Sequence, residues 1–169
     1  MEGILAFLEE AGGLKRVERA GWRRRGIEGP ESVAEHTYRV AILAMLLSDR
    51  AGADTLKAVR MALLHDLPEA RVGDLQPGTP GKKGAEEKAM RSVLSHLPKG
   101  LEKEYRRLWE EYASGKSKEA KIVKEADKLE MLLQALEYEK EGHNTEDFWA
   151  EDYKFEVGEG VYREMRRKR

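Results

Sequence analysis

The sequence predicts an all-α protein, a helical bundle formed by a single domain over residues 1–169. Apolar residues recur three and four positions apart along its longer segments, which is the helical period. Helix-capping residues precede several of these segments, and no internal repeat interrupts them. A chain of 169 residues can enclose one hydrophobic core but is short for two. We expect a core over about 14–139 and a helical tail over about 145–169.

The chain is expected to begin with a short helix. Ile4, Leu5 and Leu8 share one face of this helix, and Gly12 is expected to end it. The basic, glycine-punctuated segment 15–31, KRVERAGWRRRGIEGPE, favours a structured connection to the next helix.

The second helix has a capping box at its start. Ser32 supplies the hydroxyl and Glu35 the carboxylate three residues later, and the pattern extends to about Ala51. Glu35 could instead orient the neighbouring His36, but the capping box is the favoured interpretation. The residues expected to point inward are Val33, His36, Val40, Leu43 and Leu47.

The third helix leads into the stretch LLHDLPEA, residues 63–70. Asp54 is its expected cap, and the helical pattern reaches His65 and Asp66 before Pro68 disturbs it. Two ionisable side chains at the end of an apolar run are costly to bury unless each has a partner. This stretch therefore indicates a binding site.

A loop and further helices make up the rest of the chain. Prolines and glycines predict a loop over 71–84, RVGDLQPGTPGKKG. Asp127 interrupts the apolar stripe of the last long helical pattern, and the tail is expected to form one or two short helices. The helical patterns lie over about 85–97, 101–112 and 118–141.

Four polar groups lie on or beside inward faces of three predicted helices: His36, His65, Asp66 and Asp127. Each alone is more often a satisfied core or paired residue. Facing helices of a bundle can bring such groups together, and two imidazoles with two carboxylates suit a divalent transition ion better than calcium. The set therefore predicts a metal site.

The same residues lie in motifs that resemble a known family. The segments RAGW, PESVAEHTYRVA, HDLPEARVGDL and KEADKLEM resemble the HD-domain superfamily of metal-dependent phosphohydrolases, and within it the 5′-deoxynucleotidase group. The resemblance covers about 14–139 and implies an HD-domain helical bundle that binds one divalent ion (Mn, Co, Fe, Zn or Mg). It implies that the metal ligands are His36, His65, Asp66 and Asp127.

The resemblance also implies roles for residues around the metal ligands. Glu69 and Asp74 correspond to catalytic carboxylates, and Arg19 and Trp22 to substrate contacts, although here two residues separate that pair. From the residues alone, Glu69 could be a solvated helix end, Asp74 a turn residue and Trp22 a core side chain.

The loop offers two further candidate phosphate contacts, Thr79 and Lys82, although PGTPGKKG lacks the spacing of a nucleotide-binding P-loop.

The resemblance implies an enzyme that removes the 5′-phosphate from deoxyribonucleoside monophosphates. Alternatives are an HD-domain enzyme for a triphosphate, cyclic dinucleotide or other phosphoester, or a non-catalytic domain that binds nucleic acid through its basic segment. Acids and bases nearly balance, 32 against 31, which disfavours polynucleotide and membrane partners. A cytoplasmic location and a homodimer are also expected.

Overall fold

The computed structural model describes residues 2–169, and in this range it is helical, as the sequence predicts. A short 3₁₀ turn, Gly13–Arg16, follows the first helix. No helix among the described residues is both long and apolar enough to cross a membrane. The helices are α1 (Glu2–Gly12), α2 (Ala20–Arg23), α3 (Val33–Ala51), α4 (Thr55–Leu64), α5 (Glu69–Val72), α6 (Lys82–Leu94), α7 (Lys99–Ser114), α8 (Lys118–Lys140), α9 (Glu146–Trp149) and α10 (Glu159–Lys168).

Helix α3 begins and ends where its local sequence requires. Its first turn has the predicted capping box. The side chains of Ser32 and Glu35 each accept a hydrogen bond from the backbone N–H group of the other residue. Gly52 ends the helix with φ +58°, a left-handed conformation that favours glycine. All five residues predicted to face inward are buried.

The centre of the core lies where α3, α4 and α8 pack against one another. Val40, Met61 and Leu129 are fully buried there, one from each helix. The predicted cap of α4 is confirmed, because the Asp54 side chain accepts a hydrogen bond from the Lys57 backbone N–H. These three helices therefore form the frame that positions the site side chains they carry.

The predicted loop over 71–84 is wrong at both ends. Helix α5 continues to Val72 and α6 already begins at Lys82. Pro68 does not end the helical structure, because it precedes the first turn of α5, where a missing N–H group has no helical partner to lose. The irregular part of this segment is therefore shorter and more constrained than the composition indicates.

The tail forms two short helices, α9 and α10, as expected. One side chain of α8 fastens it: the Glu125 carboxylate accepts hydrogen bonds from the backbone N–H groups of Glu156, Val157 and Gly158 at 2.6, 3.0 and 2.8 Å. A Cβ at Gly158 would lie 2.4 Å from the Leu129 side chain, so glycine allows this close approach. The tail is thereby held against the core helix that carries Asp127.

Candidate metal centre and cleft

The structure brings together the four groups that the sequence singled out. His36 comes from α3, His65 and Asp66 follow the end of α4, and Asp127 comes from α8. His36 Nε2 lies 3.2 Å from Asp127 Oδ1 and 3.6 Å from Asp66 Oδ2, and His65 Nε2 lies 3.0 Å from Asp66 Oδ2. These atoms converge because the three helices pack around one core.

Several atoms of this cluster have no hydrogen-bond partner among the described residues. His36 Nε2, His65 Nε2 and Asp66 Oδ2 are all buried and unsatisfied. Buried polar atoms normally have partners, so three converging exceptions need an explanation. Ligand atoms of His36, His65 and Asp127 lie within 4.8 Å of one another, and this nitrogen and oxygen donor set suits a divalent metal ion.

The other ring nitrogen of each histidine is already engaged. His65 Nδ1 lies 2.6 Å from the Ala62 carbonyl oxygen, and His36 Nδ1 contacts the Glu130 carboxylate. An imidazole that donates through Nδ1 presents the lone pair of Nε2, which is the form that binds a metal. Both rings are therefore oriented with Nε2 toward the cluster.

Glu130 is a site residue that the sequence interpretation missed. Glu35, the alternative considered for orienting His36, is engaged in the capping box. Glu130 lies one helical turn after Asp127 and is completely buried. The sequence did contain a signal for this residue, because Glu130 is an acid on the apolar face of α8, three residues after Asp127.

The electrostatics of the cluster favour a bound cation. Burial disfavours the charged form of Asp66, but the neighbouring His65 and His36 lower the pKa of Asp66 to about 2. Burial and Arg19 oppose protonation of His36, but the carboxylates of Asp127 and Glu130 outweigh them and raise the pKa of His36 to about 10. In the absence of a metal the site therefore attracts a proton, which a divalent ion would replace.

Glu69 is not a solvated helix end. It is the first residue of α5 and is only 3% exposed, and its Oε2 atom is buried without a hydrogen-bond partner. Burial raises the pKa of Glu69 to about 10, and the nearby carboxylates of Asp66 and Asp74 add to the shift. Glu69 can therefore hold a proton at neutral pH beside the metal ligands.

Arg19 and Asp74 also lie at this centre. Arg19 Nη1 is 3.9 Å from Asp66 Oδ2 and 3.8 Å from Asp74 Oδ2. Asp74 Oδ2 additionally accepts a hydrogen bond from the Ala20 backbone N–H at 2.8 Å, which ties the loop after α5 to the start of α2. Asp74 therefore holds the segment that carries Arg19 in place. An ordinary turn residue would not make such a contact with a distant segment.

A cleft of about 520 Å³ opens beside these groups. It is lined by the metal-centre carboxylates, Arg19 and Lys82. Apolar and aromatic side chains also line it, and they include Met131 of α8 with Phe148 and Tyr153 of the tail. The tail thus forms part of the cleft wall, which the sequence did not predict.

Trp22 borders the cleft but is mostly enclosed. It is 1% exposed, its ring centroid lies 4.2 Å from that of Phe148, and its Nε1–H donates to Glu31 Oε1 at 2.8 Å. Most of the Trp22 side chain is enclosed by the protein, which fits the interpretation of Trp22 as a core residue. Contact with a substrate through the remaining edge stays a prediction.

The two loop candidates differ in position. Lys82 lines the cleft, where its Nζ contacts the Leu75 carbonyl oxygen and lies 3.3 Å from Glu86. Thr79 does not line the cleft, and its hydroxyl donates to the Gln76 carbonyl oxygen at 2.8 Å. The hydroxyl of Thr79 therefore closes a turn of the loop, and its contact with a phosphate stays a prediction.

Known proteins share this sequence pattern and fold. The pattern of the HD domain family matches residues 11–164. The Homo sapiens protein named 5′-deoxynucleotidase HDDC2 is 45% identical over 154 residues, which cover 86% of this chain and 74% of that protein.

Solved structures agree with this likeness. A conserved hypothetical protein from Pyrococcus furiosus is similar with a TM-score of 0.78 and 36% identity, covering 97% of this chain and 98% of that one. A protein described as a predicted metal-dependent phosphohydrolase, from Magnetospirillum magnetotacticum, is similar with a TM-score of 0.71 and 28% identity, covering 81% of this chain and 71% of that one.

Proposed function

The chain belongs to the HD domain family, and on this premise we propose that it is a metal-dependent 5′-deoxynucleotidase. The observation that carries the proposal is the set of unpartnered histidine and aspartate atoms beside a buried, protonatable Glu69 that lines a cleft. Relatives that bear this activity in their names match most of the chain. The reaction class is hydrolysis of a phosphate monoester.

Four residues would hold the divalent ion: His36, His65, Asp66 and Asp127. They supply two neutral nitrogen donors and two negative charges, a set compatible with Mn, Co, Fe, Zn or Mg. When bound, such an ion supplies Lewis-acid activation of water and neutralisation of phosphate charge.

The chain's own residues account for the proton and the phosphate charge. Beside a bound cation the pKa of Glu69 would fall below the raised value that it has in the metal-free protein. Glu69 is then the carboxylate whose Oε2 takes the proton of the attacking water and returns it to the 5′-oxygen as the bond from phosphorus to that oxygen breaks. Arg19 faces the phosphate with a planar, permanently charged fork. Asp74 is the second acidic group of the reaction site and keeps Arg19 in position through the start of α2.

The cleft orients the nucleotide. The phosphate would bind where Arg19 and Lys82 line the cleft, and the aromatic side chains of the lining would receive the nucleoside. Trp22, which lines the cleft and packs against Phe148, would restrict the space beside the sugar, and this favours deoxyribose. Because rejection of an added hydroxyl by shape alone is limited, we expect a preference for dAMP over AMP of about a hundredfold.

The test combines a substrate panel with one variant. Phosphate release from mono-, di- and triphosphates, with manganese or cobalt added, should be fastest with deoxyribonucleoside monophosphates. Glu69→Ala should retain metal and nucleotide while kcat falls by about 10²- to 10⁴-fold. Loss of metal would instead make Glu69 a ligand, and near-normal kcat would remove it from the reaction. Equal kcat/KM for AMP and dAMP would leave a general nucleotidase.

We propose that two copies of the chain associate through the outer face of α3. Tyr38, Ile42, Met45 and Leu46 form an exposed apolar stripe on this helix, where Tyr38 is 69% and Leu46 56% exposed. Leu46→Glu should shift the sedimentation mass toward the monomer, whereas Leu5→Glu on α1 should not. A monomeric wild-type protein would contradict this proposal. The cytoplasmic location stays a prediction.

A further inference from the structure

We propose that Glu130 is a positioning residue for the metal centre, and that Arg39 keeps its carboxylate in place. The inference rests on the proposed metal site, because Glu130 would act through His36. Its role would be to hold the Nδ1–H of His36 so that Nε2 stays directed at the ion and becomes a stronger donor.

The contact lies in the most enclosed part of the molecule. Glu130 and His36 are both 0% exposed, and one Glu130 oxygen contacts His36 Nδ1. The second oxygen accepts a hydrogen bond from Arg39 Nε at 3.0 Å and lies within ion-pair distance of Arg39 Nη2, at 2.9 Å. Arg39 in turn donates through Nη1 to both oxygens of Glu137 at 2.8 Å. A continuous chain of charged groups therefore leads from the surface to the metal ligand.

The helix register shows why these residues meet. Arg39 follows His36 by three residues on α3, and Glu130 follows Asp127 by three residues on α8. Residues three apart share a helix face, so the two helices that each supply a ligand also supply a supporting charge one turn away. The packing that brings His36 to Asp127 also brings Arg39 to Glu130.

Burial of the Glu130 carboxylate costs free energy, and a purely structural role does not explain why the protein bears this cost. A fully buried carboxylate is destabilising unless it is paired, and an apolar residue of similar volume in a core often serves stability as well or better. Glu130 is paired on both sides, with Arg39 and with the one ring nitrogen of His36 that does not face the metal. The presence of this carboxylate beside His36 is explained by the contact through which it orients this metal ligand.

The test is the metal dissociation constant of Glu130→Gln, with Glu137→Gln as the matched control. Both variants remove a carboxylate that contacts Arg39, but Glu137 is half-exposed and only Glu130 reaches His36. Titration of metal-free protein with manganese in competition with a chelator should show weaker binding by about 10- to 100-fold for Glu130→Gln. Glu137→Gln should bind manganese as the wild type does.

Kinetics separate positioning from a structural role. At saturating manganese the kcat of Glu130→Gln should return close to the wild-type value, because the variant lacks affinity rather than a reacting group. Arg39→Lys, which keeps the charge but loses the paired hydrogen bonds, should weaken manganese binding by a smaller factor. It provides the same test if Glu130→Gln does not fold.

The outcomes are distinguishable. Equal manganese affinity in the wild type and Glu130→Gln, or equal losses in Glu130→Gln and Glu137→Gln, would overturn the role of Glu130. A wild-type protein that binds manganese but hydrolyses no deoxynucleotide would refute the proposed function and leave the affinity comparison decisive. A wild-type protein that binds no divalent ion would refute both.

Discussion

Glu69→Gln should stabilise the metal-free protein at neutral pH, because it removes an acid that the fold keeps protonated. Burial raises the pKa of Glu69 to about 10, from an ordinary value of 4.5. Between these values the unfolded chain releases the proton and the folded protein retains it. Wild-type stability therefore decreases as pH rises through this window, whereas the glutamine side chain carries no such dependence.

The size of the effect at pH 7 follows from how far this pH lies above the pKa of the unfolded glutamate side chain. At pH 7 the unfolded side chain is about 2.5 pH units above its pKa, and each unit corresponds to about 1.4 kcal/mol. Relative to the wild type, the free energy of unfolding of Glu69→Gln should thus gain about 3 kcal/mol between pH 4 and pH 7. Because the site contains other titrating groups, the difference between the two proteins is the quantity to compare.

The assay is urea unfolding of both proteins in the presence of a chelator, repeated across this pH range. Glu9→Gln, on the exposed side of α1, serves as the control and should leave the pH dependence unchanged. Addition of a divalent ion should reduce the advantage of Glu69→Gln, since a nearby cation lowers the pKa of a carboxyl group. A difference between Glu69→Gln and wild type that stays constant from pH 4 to pH 7 would refute the burial of a protonated Glu69.

Three further predictions test the metal centre, the phosphate contact and the local helix signal. Asp127→Ala should lose the divalent ion, measured by elemental analysis, and its melting temperature should no longer fall on chelation as that of the wild type does; full occupancy would contradict the ligand assignment. Arg19→Lys should lower kcat/KM by about 10- to 100-fold, because one charge-assisted hydrogen bond of the fork is lost, and unchanged kinetics would remove Arg19 from phosphate binding. Ser32→Ala should cost about 1 kcal/mol by loss of the α3 cap, seen as a melting temperature lower by about 2–4 °C; no shift would mean that Glu35 alone satisfies this helix end.

The predictions that depended on neighbouring residues were accurate. The capping box of Ser32 and Glu35, the cap at Asp54 and the inward face of α3 all appear in the structure. The loop over 71–84 was predicted from composition alone and proved partly helical. Composition does not tell whether Pro68 ends a helix or precedes the first turn of one, because both positions tolerate a missing N–H.

The candidate site also contains some residues that the sequence identified and others that only the structure revealed. His36, His65, Asp66 and Asp127 could be selected from the sequence, because a polar residue on an apolar face is unusual wherever it occurs. Glu130 lies on the apolar face of α8 as well, but its partner could not be identified from the sequence, since His36 lies 94 residues away. The cleft wall formed by Phe148 and Tyr153 was equally inaccessible, because the aromatic pattern of the tail does not show what it packs against.

The sequence by itself determined most of the helical segments, where several of them begin and end, and four polar side chains that require a partner. These properties depend on hydrogen bonds and apolar spacing within a few residues. The tertiary structure alone decided that Glu69 is buried, which raises its pKa, and that Glu130 contacts His36. It also decided that the Thr79 hydroxyl bonds within its loop and that the tail lines the cleft. Burial and pairing depend on how α3, α4, α8 and the tail pack together, and residues far apart in the chain meet only in that packing.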